Sequence, residues 1–262
     1  MHTILKYPRT RHIEGSRLQP GDEDLSQTPF SMLEGKYLVV EEKIDGANSG
    51  ISFSTEGELL LQSRGHFLTG GLRERHFNLL KTWSVSNKYW LWEVLGDRYI
   101  MYGEWMYAKH TVFYDMLPHY FLEFDIWDKR EQYFLSTAWR QELLVGHPVV
   151  SVPILYSGTT LTINQLHKLV KPSLYKSRAW KDVLQSASML VGYDPQAAIK
   201  ETNPSDYAEG LYIKVENDDE TVDRYKWVRH DFLTSILESE THWLDRTIIP
   251  NRLAPGIDIF NA

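Results

Sequence analysis

Lys43-Ile44-Asp45-Gly46 follows directly on the apolar run Tyr37-Leu38-Val39-Val40. A lysine at a strand end, with an acid and a glycine behind it, has the parts for covalent chemistry on a nucleotide phosphate. Lysine attacks only as the free amine, and its side chain is almost wholly charged at neutral pH. Burial or nearby cations lower its pKa. Lys214 and Lys226 are the candidates to supply that positive field, and the same cations would grip a phosphate. Asp45 and Glu104 act the other way unless a divalent metal ion occupies them, so magnesium (or manganese) belongs to the expectation. The K-x-D-G pattern alone is weak, because most of its occurrences are ordinary strand-end surface lysines.

Its weight comes from four segments that follow in order: Tyr102-Gly103-Glu104-Trp105, Phe121 to Ile126, Glu209 to Lys214, and Tyr225 to Arg229. Glu104 and Glu209 each adjoin a glycine, which lets backbone and ligand come close. Hard carboxylate oxygens are what magnesium takes, one or two per ion, with phosphate and water completing the shell. A strand that begins at Glu209 and ends at Lys214 can bracket ribose or metal at one end and a phosphate at the other. Phe124 alternates with Leu122 and Ile126, so the three share a face; core packing suits any of them, and Phe124 is the best platform for a purine. The ten histidines show no metal-binding spacing, and neither a P-loop nor G-x-S-x-G is present.

The elements that must position these groups read as an α+β domain. Residues 1–36 form an extended lead-in punctuated by Pro8, Pro20-Gly21 and Pro29. Residues 37–67 resemble a β-meander with a hairpin turn at Thr55-Glu56-Gly57. Leu72 to Lys81 predicts a helix, and Tyr99 to Tyr102 and Tyr120 to Trp127 predict strands. Residues 129–203 read as a largely helical insertion, with a capping box at Thr162-Ile163-Asn164-Gln165 and an amphipathic helix over Ala179 to Leu190. Strands resume at Leu211 to Val215 and Arg224 to Val228. A C-terminal helix from about Asp231 to Leu244, then a tail, completes a single domain over 1–262.

Composition bounds the rest. The apolar fraction of 42% with nine Trp and fifteen Tyr is that of a folded, aromatic-rich protein. Without cysteine there is neither a disulfide framework nor a thiolate zinc site. No stretch is long and apolar enough to span a membrane, and the N-terminus lacks the blocks of a signal peptide, so no membrane partner and a cytoplasmic location are expected. A net charge of −7 argues against holding nucleic acid by bulk charge. Two solutions remain: a narrow basic groove lined by Arg64, Arg73, Arg75 and the N-terminal Arg9, Arg11 and Arg17, or a protein partner that supplies nucleic-acid affinity.

Taken in order, these segments resemble the motifs of the covalent nucleotidyltransferase superfamily, which holds polynucleotide ligases and capping enzymes. The likeness spans residues 37 to 230. Asn48, standing where DNA ligases and capping enzymes carry arginine, resembles the ATP-dependent RNA ligases that seal nicks. The resemblance implies a nucleotidyltransferase (ATP-grasp-like adenylation) domain of antiparallel sheets with flanking helices. With only 36 residues after Lys226, no OB domain is expected. It further implies that Lys43 becomes lysyl-AMP with ATP as cofactor, and that Asp45 shares the catalytic motif. By the same likeness Glu42, Asn48, Arg64, Glu104, Phe124, Glu209, Lys214 and Lys226 bind the nucleotide. Phe124 would stack on adenine, Glu104 would bind ribose, and Glu104 and Glu209 would hold metal. Lys214 and Lys226 would contact the α-phosphate, while Arg224 stands where a lysine is usual. Arg64, Arg73 and Arg75 would meet RNA carrying 5′-phosphate and 3′-hydroxyl ends, as in RNA repair. The alternatives are a small DNA ligase, a capping-type guanylyltransferase, or a non-catalytic nucleic-acid-binding module.

Overall fold

The computed structural model describes residues 2–18, 22, 26–232 and 247–261, with position 73 described by its backbone alone. The helix expected over 231–244 therefore falls, from 233 onward, outside the described residues. Twelve strands appear among those described. They are β1 (Arg11–Ile13), β2 (Gln27–Thr28), β3 (Leu38–Lys43), β4 (Ala47–Phe53), β5 (Leu59–Ser63) and β6 (Tyr99–Trp105), then β7 (Phe121–Asp128), β8 (Tyr133–Leu135), β9 (Val150–Ser151), β10 (Ile154–Gly158), β11 (Gly210–Glu216) and β12 (Glu220–Val228). They join in the order β10-β3-β11-β12-β8-β7-β6-β4-β5, with β1 and β2 added beside β12 and β9 beside β7.

This sheet works as two halves. In one, β4 and β5 form the expected hairpin and continue through β6 to β7. Helices α1 (Asn78–Ser86) and α2 (Lys88–Leu95) cover it, burying Leu80, Trp83, Leu91 and Leu95 with Ile51, Phe53 and Met101. In the other half β3 lies between β10 and β11, and β11 pairs with β12. Alternation sorts the side chains of that half. Leu38, Val40, Leu211, Ile213, Tyr225 and Trp227 share one core with Leu166 of α4 (Ile163–His167). The other face therefore carries Glu41, Lys43, Tyr212, Lys214, Arg224 and Lys226, and it meets β7.

The meander expected over residues 37–67 is thus corrected. β3 does not pair with β4; residues 44–46 carry the chain from one half to the other, because Leu38 and Val40 belong to one core and Ile51 and Phe53 to the other. Lys43 stands at that crossover. The lead-in is also more than extended chain, since β1 runs parallel to β12, with Arg11 opposite Tyr225 and His12 opposite Lys226. The expected helix at 72–81 begins as a tighter 3-10 turn (Leu72–Phe77) that runs on into α1.

Segment 129–203 is only partly helical. It holds α3 (Thr137–Leu144), α4, α5 (Trp180–Leu190) and α6 (Pro195–Lys200), but also β8, β9 and β10, which complete the sheet. The capping box forms as read, with Thr162 and Gln165 satisfying each other's exposed backbone N–H groups. Among the described residues no helix is long and apolar enough to cross a membrane.

Candidate active site

Sheet register builds the centre of the site. Gly210 sits between Lys43 on β3 and Val228 on β12, so Glu209, one residue earlier, arrives beside the lysine. Lys43 Nζ donates to Glu209 Oε2 at 2.6 Å; the lysine side chain is 23% exposed and the glutamate 2%. Buried Arg229 steadies the approach to Glu209, donating to the Ala208 carbonyl and to Asn203 Oδ1, while its own N–H bonds the Glu209 carbonyl. From the opposite half, Asn48 on β4 stands across from Glu104 on β6. Glu104 Oε1 accepts the Gly46 N–H at 3.1 Å. Asp45 is turned away from solvent, one oxygen accepting the N–H groups of Thr111 at 2.7 Å and Val112 at 2.8 Å.

One ammonium therefore faces three carboxylates. Burial pushes the Lys43 pKa down, but Glu209, Glu104 and Asp45 outweigh it, and the net displacement is upward. Glu104 is driven up to about 8, first by burial and then by the charges of Asp45 and Glu209, against the pull of Lys43. Asp45 and Glu104 thus act against any positive field on the amine, as the sequence suggested, and Glu209 adds to them.

Carboxylate surplus is what a divalent cation relieves. Among the described residues no three Asp, Glu or His side chains converge as a metal cage. The donor set fits an ion held by at most two protein carboxylates, with its remaining oxygens from phosphate and water, as magnesium prefers.

A cavity of about 200 Å³ opens over Lys43. Its walls include Glu41, Glu42, Asn48, Arg64, Glu104, Phe124, Tyr212 and Lys226. Three further lining residues, Tyr7, Pro8 and Thr10, come from the lead-in and were not anticipated. Their only sequence signal was an aromatic before a proline in a segment read as irregular. Tyr7 is 7% exposed, sits edge-on to Phe124 at 5.2 Å between centroids, and donates its hydroxyl to Asp125. Asn48 Oδ1 is buried without a hydrogen-bond partner, a free acceptor in the cavity wall. Glu42 accepts from Ser173 Oγ, and burial raises its pKa.

Lys214 is not where the sequence suggested. It is 1% exposed and lies below the cavity, paired with Glu41 and Asp125 at 3.0 Å each and donating to the Phe124 carbonyl. The reason is metric. Lys43 is opposite Gly210, and four residues at about 3.3 Å each put Lys214 roughly 13 Å farther along the strand. Lys226, opposite Tyr212, is only two residues from the Lys43 rung and does reach the cavity. Arg224 shares the Lys214 rung and lies over the Phe134 ring at 3.7 Å, 3.8 Å from Asp125.

Arg140 of α3 joins this buried layer, bonding Glu41 at 2.6 Å and Glu123 at 3.2 Å. Phe124 occupies a β-bulge between the Tyr102–Asp125 and Gly103–Glu123 pairs. The bulge frees its carbonyl for Lys214 and Arg140, and it turns Phe124 off the Leu122–Ile126 line so that its ring reaches the cavity.

The glycines beside Glu104 and Glu209 serve the sheet and not ligand approach. A Cβ on Gly210 would lie 1.9 Å from the Trp227 carbonyl oxygen, and one on Gly103 would lie 2.5 Å from the Phe121 ring.

Arg64 is exposed at the cavity mouth, on a tight loop where Ser63 Oγ bonds the His66 ring. Arg75 is exposed on the turn before α1, and the Arg73 side chain lies outside the described residues. Two N-terminal arginines leave the expected basic groove because they are committed elsewhere. Arg11 pairs with Asp223, and Arg17 donates to the carbonyls of His230 and Phe232.

The RNA ligase family model matches residues 36–228. The chain belongs to the RNA ligase family. No curated protein matches it. Among solved structures, the Naegleria gruberi RNA ligase with pyrophosphate is similar at 18% identity and TM-score 0.51, covering 88% of this chain and 57% of that one. A variant of the same ligase with ATP and manganese gives 17%, 0.52, 89% and 58%. An archaeal ATP-dependent RNA ligase gives 16%, 0.50, 87% and 49%. These likenesses establish the fold of the RNA ligase family member. The chain spans less than two thirds of the length of each.

Proposed function

We propose that the protein is an ATP-dependent RNA ligase acting through a covalent lysyl-AMP at Lys43. The observation that carries this is the amine of Lys43, part-buried at the crossover between the half-sheets, bonded to Glu209 and sharing a cavity with Asn48, Glu104, Phe124 and Lys226. Membership in the RNA ligase family supports it.

Lys43 Nζ, once neutral, attacks the α-phosphorus of ATP, forming the N–P bond as pyrophosphate departs. Glu209 Oε2 is the acceptor placed to hold the proton that the amine gives up. The AMP then passes to a 5′-phosphate on RNA, freeing Lys43, and a 3′-hydroxyl displaces AMP to close the strand. Phe124 offers the base a ring face, and Lys226 offers the phosphates a cation. Glu104 and Glu209 would hold the divalent ion, which supplies charge neutralisation at phosphorus. Asn48, with its unpaired acceptor, is a reader of the nucleotide, and Arg64 meets the incoming RNA end at the mouth.

Incubation with α-labelled ATP or GTP, followed by a denaturing gel, tests the first step. Label from ATP on wild type and none on Lys43→Ala is expected, whereas labelling by GTP alone would overturn the reading. Sealing of nicked RNA, nicked DNA and single strands, compared side by side, fixes the polynucleotide.

A further inference from the structure

Three basic groups from separate parts of the chain converge on one carboxylate. Lys226, in the cavity wall, donates to Asp22 Oδ2. His12 Nε2 lies 3.1 Å from the same oxygen, and an Arg9 amino group lies 3.2 Å from Oδ1. The lead-in, β1 and β12 each contribute one of the three. His12 is fully buried and its ring is held from both sides: the Asp22 carboxylate only accepts, so Nε2 carries the hydrogen between them, and Nδ1 lies 2.6 Å from Ser16 Oγ, which also accepts the Val228 N–H. The Asp22 carboxyl sits at about 2, because its bonds to Lys226, His12 and Arg9 outweigh burial. Lys43 contributes positive field to both His12 and Lys226, and Lys226 lines the same cavity as the reactive amine.

We infer that Arg9, His12 and Lys226 form a subsite for a phosphate-class anion, which the Asp22 carboxylate fills until the phosphate displaces it. A carboxylate offers two oxygens and one charge. A pyrophosphoryl or terminal phosphate group offers more of both to the same three donors, and so wins the exchange. Of the three donors, Lys226 joins this subsite to the cavity over Lys43, whose wall it lines. Only the ligand's identity rests on the ligase reading; the convergence of donors on Asp22 does not.

Calorimetric titration with inorganic pyrophosphate and, separately, a 5′-phosphorylated oligoribonucleotide tests this on the full chain. Asp22→Asn removes the internal competitor and should tighten binding of one of the two by about tenfold. The responding ligand identifies the source of the phosphate. Adding Arg9→Ala should abolish the gain. Because Asp22→Asn could loosen the lead-in, the melting-temperature rise caused by pyrophosphate and by the oligonucleotide is measured too, and for the responding ligand it should be larger in the variant than in wild type. If Asp22→Asn binds both ligands no better than wild type, Asp22 is only a structural pin and the inference falls. ATP labelling of Lys43 alongside unchanged anion binding would overturn the subsite and keep the ligase. Tightened anion binding without labelling would do the reverse.

Discussion

Two clusters of charge meet along β3 and are organised in opposite ways. Below the cavity, Glu41, Glu123 and Asp125 meet Lys214, Arg140 and Arg224, and acids and bases balance. Lys214 and Arg140 are essentially unexposed, and the Asp125 carboxyl is held low because Lys214, Arg224 and Arg140 outweigh its burial. Two residues along β3, Lys43 faces Asp45, Glu104 and Glu209. Burial does not separate the clusters, since both are largely buried. Charge balance does: the lower one sets three acids against three bases, and the upper one gathers three carboxylates around Lys43. That difference separates a positioning layer from a reaction site.

The largest expected effect falls on the upper cluster. Lys43→Ala should reduce covalent labelling by ATP at least about a thousandfold, because the amine that forms the N–P bond is gone, while circular dichroism stays native. Next comes a break in the lower cluster. Arg140→Met leaves Glu123 buried without its ion-pair partner and Glu41 with Lys214 alone, and should cost about 3–5 kcal/mol in urea unfolding. Equal stability of Arg140→Met and wild type would erase the distinction between the two clusters.

Much of the upper cluster was legible in the sequence. Lys43, Asp45, Glu104 and Glu209 lie at or beside strand ends, the three acids next to glycines, and local pattern is enough to find strand ends. The lower cluster was not legible. Arg140 lies in a helix within an insertion, and its bonds to Glu41 and Glu123 follow from the closing of two half-sheets, which no local pattern encodes. Lys214 was misplaced for want of register: once Gly210 is known to pair with Lys43, strand rise alone puts it too far away. Tyr7 and Asp22 escaped because their segment has neither period 2 nor period 3.6. The bulge at Phe124 was equally silent; the sequence singles out the ring as a platform for a purine, and the fold puts it in the cavity wall.

A pH experiment sharpens the contrast at intermediate scale. Below its ordinary 4.5 the Glu104 carboxyl is protonated in folded and unfolded chains alike, and stability does not depend on it. Between 4.5 and about 8 the unfolded chain ionises it and the folded chain resists, so stability falls as pH rises. Glu104→Gln removes that penalty and should raise stability by about 1–4 kcal/mol at pH 8, with little change at pH 4. The same variant should label more slowly. A gain in stability coupled to a loss of activity is the signature of a site whose charges are kept for a ligand; a uniform loss of stability at both pH values would place Glu104 with the lower cluster.

The smallest effect belongs to the rim of the balanced layer. Ser151 Oγ donates to Glu123 Oε2 at 2.6 Å, on the oxygen not facing Arg140. Ser151→Ala should cost about 1–2 kcal/mol, the worth of one hydrogen bond to a buried charged group that keeps its principal partner. Labelling at saturating ATP should be unchanged, because the seryl hydroxyl acts two positions from Asp125 on β7 and touches nothing in the cavity wall. Slowed labelling without lost stability would mean that the lower cluster transmits to Lys43 through Glu41, two residues away on the same face of β3, and that balance below is itself part of the chemistry above.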